Sequence, residues 1–326
     1  MRYLIPLLTA FAAPATAAPT LVTDIPPVHS LAAQVMEGVA EPVLLLDRGA
    51  DAHDFQLRPS QARALGSADL VVWIGPEMSP WMARGIGKTP ALALLHAPGT
   101  EVRSFGEDGH ADGHDDHGHD QEGHGHDSHG HNDDGDETDH AAGDDHAGHH
   151  HEGHHHEGLD PHAWLDPANA AHWLEAIAAE LSRLDPEHAA TYARNAASAK
   201  ERVSALDARL KAELAVAKDR PIVLFHDAYG YFAAHYGLDI LATVSDGEAA
   251  TPGAQRLSAL RGEIADAACI FPEANHDPAY LRLLTEGTTV KIGGALDPEG
   301  SRLEPGAALY ADLMTGLADT VSACLK

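Results

Sequence analysis

Short apolar runs alternate with helix-like segments in both halves of the chain. In the first half, strands are predicted at residues 20–25, 42–46, 69–75 and 91–95, and helices at 28–39 and 60–67. In the second half, strands are predicted at 221–225, 238–244, 268–271 and 288–292, and helices at 228–236, 253–267, 278–286 and 306–324. Continuous apolar strands that alternate with helices are typical of parallel sheets covered on both faces. The pattern therefore predicts an α/β protein with two lobes, each a small parallel sheet flanked by helices.

A long helical segment separates the two halves. Two Asp-Pro pairs, at 166–167 and 185–186, each place a capping residue before a first-turn proline, which predicts one helix through residue 184 and a second that ends near residue 218. The apolar positions of the second helix recur about every 3.5 residues; they are Tyr192, Ala196, Ala199, Val203, Leu206, Leu210 and Leu214. At 1.5 Å per residue this helix would be roughly 45 Å long. A coiled-coil arm is one explanation. Because strands resume afterwards, we expect a rigid helix, residues 185–218, that joins lobes at 19–184 and 219–326.

A histidine-rich, acidic run interrupts the first half. Residues 106–158 contain 16 of the 25 histidines and 17 Asp or Glu residues, with no Lys or Arg. The run has no apolar periodicity and cannot bury enough surface to offset its ordering entropy, so we expect residues 104–158 to form a disordered loop. Neighbouring histidines would bind several metal ions weakly; the densest sets are His149, His150 and His151, and His154, His155 and His156. An acidic linker with incidental histidines is the alternative.

The first residues have the pattern of an export signal. Met1 and Arg2 precede an apolar run to about residue 13 and small residues at 15–17, which predicts a signal peptide over residues 1–18. The apolar run is shorter than the ~20 residues that a membrane-spanning helix needs. In an exported chain, Cys269 and Cys324 are expected to form one disulfide, with two buried thiols as the alternative.

Charge and histidine placement both indicate a cation ligand. The formal net charge is −29, which favours a cation and argues against nucleic acid, a partner that needs a basic surface. His53, His226 and Asp297 each follow a predicted strand, and ligands of open α/β sheets gather at the carboxyl ends of strands. His162 begins the ordinary sequence after the histidine-rich run. Each residue alone could be a surface or core residue, but together they predict a metal site between the lobes.

The ligand types favour zinc. Three imidazoles with one carboxylate or water suit Zn²⁺, whereas Mn²⁺ prefers more oxygen ligands. Asp54 and Asp227 are candidate acceptors for the second N–H of a ligand imidazole, with a loop or helix-cap role as the alternative. His276 is a candidate for a weak second site. The remaining histidines are interpreted as surface or packing residues: His29, His96, His172, His188 and His235.

Seven segments of the chain resemble one known family. They are Ala-His-Asp-Phe-Gln-Leu-Arg-Pro-Ser (52–60), Asp-Leu-Val-Val-Trp-Ile-Gly (69–75), the histidine-rich insertion, His-Ala-Trp-Leu-Asp-Pro (162–167), Phe-His-Asp-Ala-Tyr-Gly-Tyr-Phe (225–232), Pro-Gly-Ala-Gln-Arg-Leu (252–257) and Leu-Asp-Pro-Glu-Gly (296–300). On these residues the chain resembles the periplasmic zinc-binding (ZnuA-type) solute-binding proteins of ATP-binding-cassette (ABC) uptake transporters. The resemblance covers essentially the whole mature chain.

The resemblance carries expectations about fold, site and partners. It implies two α/β lobes bridged by a rigid long helix, with zinc in the cleft, in a monomer located in the periplasm. It implies His53, His162 and His226 as ligands, Asp297 at a position that ligates metal in some members, and a disulfide between Cys269 and Cys324. Manganese-binding relatives have a carboxylate where this chain has His226, which again favours zinc. The expected partners are the zinc ion and an inner-membrane ABC permease, with a periplasmic metallochaperone as a further candidate.

Three functions are compatible with these residues. We expect a protein that captures zinc and delivers it to a permease, with the histidine-rich loop as an accessory collector. No recognisable general base accompanies an open zinc position, so we do not expect an enzyme. A zinc hydrolase is the second hypothesis, because three histidines and a water also form catalytic sites. A zinc buffer is the third, with the histidine-rich run as its working part.

Overall fold

The chain folds around two parallel sheets, one in each half. The computed structural model describes residues 17–53, 55–105, 158–245 and 253–326. The first sheet contains β1 (Leu21–Thr23), β2 (Val43–Leu44), β3 (Leu70–Trp73) and β4 (Ala91–Ala93), in the order β2-β1-β3-β4. The second contains β5 (Ile222–Leu224), β6 (Ile240–Thr243), β7 (Cys269–Ile270) and β8 (Lys291–Ile292), in the order β6-β5-β7-β8. Every strand pairing in the two sheets is parallel, so the predicted fold class is confirmed.

Nine α-helices accompany the sheets in the part of the chain that the structure describes. They are α1 (Pro26–Val35), α2 (Pro59–Gly66), α3 (Pro80–Ile86), α4 (Pro167–Leu184), α5 (Ala189–Leu214), α6 (Gly230–Tyr236), α7 (Ala254–Glu263), α8 (Ala279–Thr285) and α9 (Leu309–Leu325). The sequence pattern missed α3, because this seven-residue helix buries only Met82 and so shows no apolar period. Helix α1 begins two residues earlier than predicted, with Pro26 and Pro27 in its first turn, where proline loses no helical hydrogen bond.

The long helix is shorter than the sequence predicted. Helix α5 begins at Ala189, four residues after Asp185, and ends at Leu214, where a single 3₁₀ turn (Ala215–Ala217) follows. The carboxylate of Asp185 accepts hydrogen bonds from the His188 ring and the Tyr192 hydroxyl, at 2.7 and 2.9 Å, and these contacts accompany a separate turn before the helix. The 26 residues of α5 span about 39 Å. The seven predicted inward positions are all buried.

One apolar core joins both halves of the molecule. Helix α5 packs mainly against α4 and also against α1 and α9. The core contains Leu70 from the first half, Leu206 from α5 and Phe271 from the second half. Alternate side chains of the strands face smaller apolar clusters on the other side of each sheet, as successive residues of a strand must. Both sheets are therefore covered on both faces, and α5 connects them.

A disulfide ties the C-terminus to the second sheet. Cys269 begins β7, Cys324 lies in the last turn of α9, and the two form a disulfide bond across a sequence separation of 55. The expected pairing is confirmed, and the alternative of two free thiols is wrong.

Two predicted segments lie mostly outside the described residues. The structure does not describe residues 1–16 of the predicted signal peptide or residues 106–157 of the predicted disordered loop. Of the helices that the structure describes, none has both the length and the apolar character to cross a membrane.

Candidate metal centre

The candidate centre lies beyond the carboxyl ends of the strands. His226 follows β5 by two residues, and Glu273 follows the neighbouring strand β7 by three. The chain goes from β5 to β6 on one side and returns to β7 on the other, so this is a point where the strand order reverses, the usual place for a ligand in such sheets. His53 lies in the loop after β2, and His162 precedes the 3₁₀ turn Ala163–Leu165.

The structure brings His53, His162 and His226 together. One ring nitrogen from each lies within 4.8 Å of the others. The Nε2 atoms of His53 and His162 are 3.3 Å apart. Two nitrogens bonded to one tetrahedral Zn²⁺ at 2.0–2.1 Å would also lie about 3.3 Å apart. The three rings can therefore face a single ion.

Buried carboxylates orient two of these rings. Nδ1 of His226 contacts Oε2 of Glu273 at 2.6 Å, and Nδ1 of His162 contacts Oδ1 of Asp160 at 2.7 Å. A carboxylate beside Nδ1 holds the ring N–H at that atom and leaves the lone pair on Nε2, the atom that would bind metal. Nε2 of His226 is buried and has no hydrogen-bond partner among the described residues. Such an orphaned acceptor fits a metal ligand in a structure without the ion.

Burial also raises the pKa of the acid that contacts His162. Removal from water raises the pKa of Asp160 to about 7, although the backbone N–H of His162 acts in the opposite direction. A nearby divalent cation would favour the ionised carboxylate, because opposite charges attract strongly in a buried site.

Aromatic side chains hold the loops that carry the histidines. Trp81 Nε1 donates to the carbonyl of Ala52 at 2.8 Å, next to His53. Trp164 Nε1 donates to the carbonyl of Pro298 at 2.8 Å, and Tyr231 Oη donates to the carbonyl of Asp160 at 3.0 Å. The last two bonds join segments from different halves of the chain, so the site is fixed by the assembled fold.

Asp297 lies beside the three-histidine group but contacts the loop that follows it. Its carboxylate accepts hydrogen bonds from the Ser301 N–H at 2.9 Å, from the Arg302 N–H at 3.1 Å and from the Ser301 hydroxyl at 3.3 Å. It lines the same cavity as His53 and His226 but is not among the residues whose ligand atoms converge. Its role as a fourth ligand therefore stays a prediction.

Another carboxylate reaches the cavity from the same loop. Glu299 is 7% exposed, and one ligand atom each from Glu299, Asp51 and His53 lie within 4.8 Å of one another. Burial raises the pKa of Glu299 to about 8, and the nearby carboxylates act in the same direction. The sequence interpretation assigned no role to Glu299.

The other candidates have different positions. His276 stacks on Phe225, with ring centroids 4.1 Å apart, at the edge of the cavity, and burial lowers its pKa. It belongs to neither converging group, so a second site there stays a prediction.

Asp227, a candidate acceptor for a ligand imidazole, is half-buried, and the carboxylate at Nδ1 of His226 is that of Glu273. Six further candidates, His149, His150, His151, His154, His155 and His156, lie outside the described residues, as does Asp54.

A short motif could have identified two of the supporting acids. Asp51 precedes His53 by two residues, and Asp160 precedes His162 by the same interval. In each pair the aspartate Oδ1 accepts the backbone N–H of the histidine, at 2.8 and 2.9 Å. An Asp-x-His repeat before two candidate ligands is thus a local signal for both turns, whereas Glu273 and Glu299 have no such signal.

Comparisons with known proteins agree on one family. The family described as "Zinc-uptake complex component A periplasmic" (ZnuA) matches residues 21–324. The chain is 52% identical over 313 residues to the high-affinity zinc uptake system protein ZnuA of Paracoccus denitrificans, covering 94% of this chain and 92% of that protein. It is 38% identical over 312 residues to the protein of the same name from Brucella suis, covering 94% and 91%.

Solved structures share the fold at low sequence identity. The solute-binding protein FpvC of Pseudomonas aeruginosa in complex with Mn²⁺ matches with a TM-score of 0.72 at 21% identity, covering 95% of this chain and 99% of that one. The periplasmic zinc-binding protein TroA of Treponema pallidum matches with a TM-score of 0.69 at 20% identity, covering 94% and 98%. At these identities the likeness supports the fold alone.

Proposed function

Because the chain belongs to the ZnuA family, the periplasmic component A of zinc-uptake complexes, we propose that it captures Zn²⁺ with His53, His162 and His226. The family consists of zinc-binding solute-binding proteins of ABC transporters and not of enzymes. Delivery would be to an inner-membrane permease, from a monomer that works in the periplasm. A periplasmic metallochaperone is a further candidate partner.

The convergence of the three imidazoles is the observation that carries this proposal. The 3.3 Å separation of the His53 and His162 Nε2 atoms fits two ligands of one tetrahedral zinc ion. The buried Nε2 of His226, whose ring is oriented by Glu273, supplies a third lone pair. A donor set of three neutral imidazoles suits zinc better than a hard, oxygen-preferring cation.

The surrounding charges support a divalent ion. Three neutral histidines leave the charge of Zn²⁺ uncompensated, and a buried uncompensated charge is costly. Asp160 and Glu273 place two nearly buried carboxylates behind the ligand rings. They would offset the ionic charge and make the ring nitrogens better ligands.

Further features complete the proposal. The fourth position would be taken by Asp297 or by water. Lobes at residues 19–184 and 219–326, joined by the segment 185–218, would place the ion between them. The histidine-rich run would act as an accessory collector that holds weakly bound zinc near the site, because a tethered ligand has a high effective concentration.

A zinc titration of the full chain tests the assignment. A competing chelator that strips the weak sites would leave one tight zinc ion per wild-type chain. We expect His162→Ala and His226→Ala each to weaken that site by at least about 100-fold, because each removes a direct ligand. His172→Ala is the matched control, since the His172 ring contacts the Pro98 carbonyl and belongs to neither group of converging ligand atoms.

Other outcomes would favour the competing functions. Near-wild-type affinity in His226→Ala would remove this residue from the site. Loss of the tight site on deletion of Glu107–Glu157, with the three histidines intact, would favour the zinc buffer. Zinc-dependent ester or peptide hydrolysis that disappears in His226→Ala would favour the hydrolase.

A further inference from the structure

A second group of metal-binding side chains lies next to the three histidines. Asp51, His53 and Glu299 each offer one ligand atom, and these atoms lie within 4.8 Å of one another. His53 belongs to both groups, whereas His162 and His226 belong only to the first. Two carboxylates and one imidazole form a set of oxygen and nitrogen donors suited to a divalent cation.

Glu299 is a buried acid whose second oxygen lacks a partner. The residue is 7% exposed, and its Oε2 atom makes no hydrogen bond within the described residues. It lines a small cavity together with Asp51 and His53. The cavity, about 10 Å³, has room for a single water-sized sphere. Because buried polar atoms are almost always paired, this oxygen indicates a ligand in the cavity.

Two loops from different halves of the chain hold this second group in place. Glu299 lies between Asp297 and Ser301, whose contact fixes the turn. The N–H of Gly49 donates to the carbonyl of Ser301 at 3.0 Å. Arg48 adds contacts to Glu304 and to the carbonyl of Arg302. The loop with Asp51 is thereby joined directly to the loop with Glu299.

The two groups differ in depth at one residue. His162, His226 and Glu299 are 1%, 4% and 7% exposed, whereas Asp51 is half-buried. A cation arriving from solvent would therefore meet Asp51 before it reaches His162 and His226. The carboxylate of Asp51 would also attract the ion.

His53 connects the two groups but serves one ion at a time. A neutral imidazole has one nitrogen with a free lone pair, the other nitrogen being a donor. Resting on the function proposed above, we propose that Asp51, His53 and Glu299 form a second zinc position, at which the ion stops on its way into and out of the three-histidine site. During the transfer the ion stays bound to His53 and exchanges its other ligands.

Diffraction from the full chain tests whether the position exists. Crystals of His226→Ala, in which the inner group is incomplete, would be soaked in zinc and measured at the zinc absorption edge. We expect an anomalous peak within bonding distance of Asp51, His53 and Glu299, and its loss in His226→Ala combined with Glu299→Gln. A peak that remains between His53 and His162, or no peak near Glu299, would overturn the proposal.

Binding kinetics test whether the position lies on the path. In stopped-flow exchange with a chelator, Glu299→Gln and Asp51→Asn should slow zinc uptake and zinc release by the same factor, about tenfold, with the dissociation constant nearly unchanged. Glu286→Gln, an exposed acid at the end of α8, is the control. A faster release at unchanged uptake would make Glu299 a fourth ligand of the inner ion, and unchanged rates would remove it from the path; either result overturns the proposal.

The two proposals fail in different ways. If His162→Ala and His226→Ala bind zinc as tightly as the wild type, the three-histidine function is wrong, whatever the diffraction shows. If those variants lose tight binding while Glu299→Gln exchanges zinc normally, only the second position is wrong. Both conservative variants would first be compared with the wild type by thermal unfolding, so that a folding defect is recognised.

Discussion

The Nδ1 atom of His226 lies 2.6 Å from the Oε2 atom of Glu273, and both side chains are almost fully buried. The two residues are 47 positions apart and meet because β5 and β7 are neighbours in the second sheet. The contact fixes the His226 ring and leaves its Nε2 directed away from the carboxylate. The strand order of the sheet therefore determines which carboxylate orients the His226 ring.

Replacing Glu273 should weaken zinc binding without removing a ligand. Glu273→Gln keeps an acceptor for the His226 N–H but removes the negative charge, so that Nε2 becomes a weaker donor to metal. We expect a 10–100-fold rise in the zinc dissociation constant, roughly the usual effect of losing such a partner. Chelator competition measures it, with Glu286→Gln as the control. An unchanged constant would show that the charge of Glu273 does not support the ligand.

Replacing Asp297 should affect the loop more than the ion. Its carboxylate accepts hydrogen bonds from the N–H groups of Ser301 and Arg302, and Asp297→Ala removes both acceptors. We expect a loss of stability of about 1–3 kcal/mol in urea unfolding of the metal-free chain, because hydrogen bonds to a charged group are lost. Zinc affinity should fall less than in His226→Ala. A loss of affinity as large as for the histidines, with stability preserved, would make Asp297 a direct ligand.

His235 should stabilise the protein mainly at low pH. Its Nδ1 and Nε2 atoms lie 2.9 and 2.8 Å from carboxylate oxygens of Asp166 and Asp207, and the Asp166 contact is the main cause that raises the His235 pKa above 6.5. Lys211 also contacts Asp207. A raised pKa in the folded state means that the folded chain binds the proton more tightly. The stabilisation is fully present below pH 6.5 and is lost as pH rises through the folded-state pKa.

The test compares wild type and His235→Gln by urea unfolding across pH. We expect the variant to be less stable by about 2 kcal/mol near pH 5.5, with the difference shrinking toward pH 9, since hydrogen bonds to charged groups contribute about this much. Titration of the other histidines cancels in the comparison because both chains contain them. A difference that grows with pH would contradict the assigned direction.

Breaking the disulfide should destabilise the chain and leave the zinc site intact. The Cys269–Cys324 bond closes a loop with a sequence separation of 55, and the chain-entropy relation gives at most about 4 kcal/mol for such a loop. Cys269→Ala combined with Cys324→Ala should lower the free energy of unfolding by about 2–4 kcal/mol. Reduced wild type should match the variant, and zinc affinity should be unchanged. Equal stability of oxidised and reduced wild type would contradict the prediction.

Local patterns in the sequence determined the elements of the fold. Apolar runs located all eight strands that the structure describes, and the period from Tyr192 to Leu214 identified the buried face of α5. Asp166 caps α4 as predicted, with its side chain accepting the Ala168 N–H at 2.8 Å. The errors were also local: α3 is too short to show a period, and Asp185 belongs to a separate turn before α5.

For the site, the sequence by itself determined the candidate imidazoles, because a histidine after an apolar strand is visible in the order of residues. The local Asp-x-His motif places Asp51 and Asp160 beside two of them, but only the tertiary structure decided that Glu273 and Glu299 join the site. Asp227 is next to His226 in sequence, yet Glu273 holds the ring because strand order places β7 against β5. Glu299 reaches the cavity only when a loop of the second half meets the loop of His53. Contacts of this kind depend on how distant segments pack, and no local pattern contains that information.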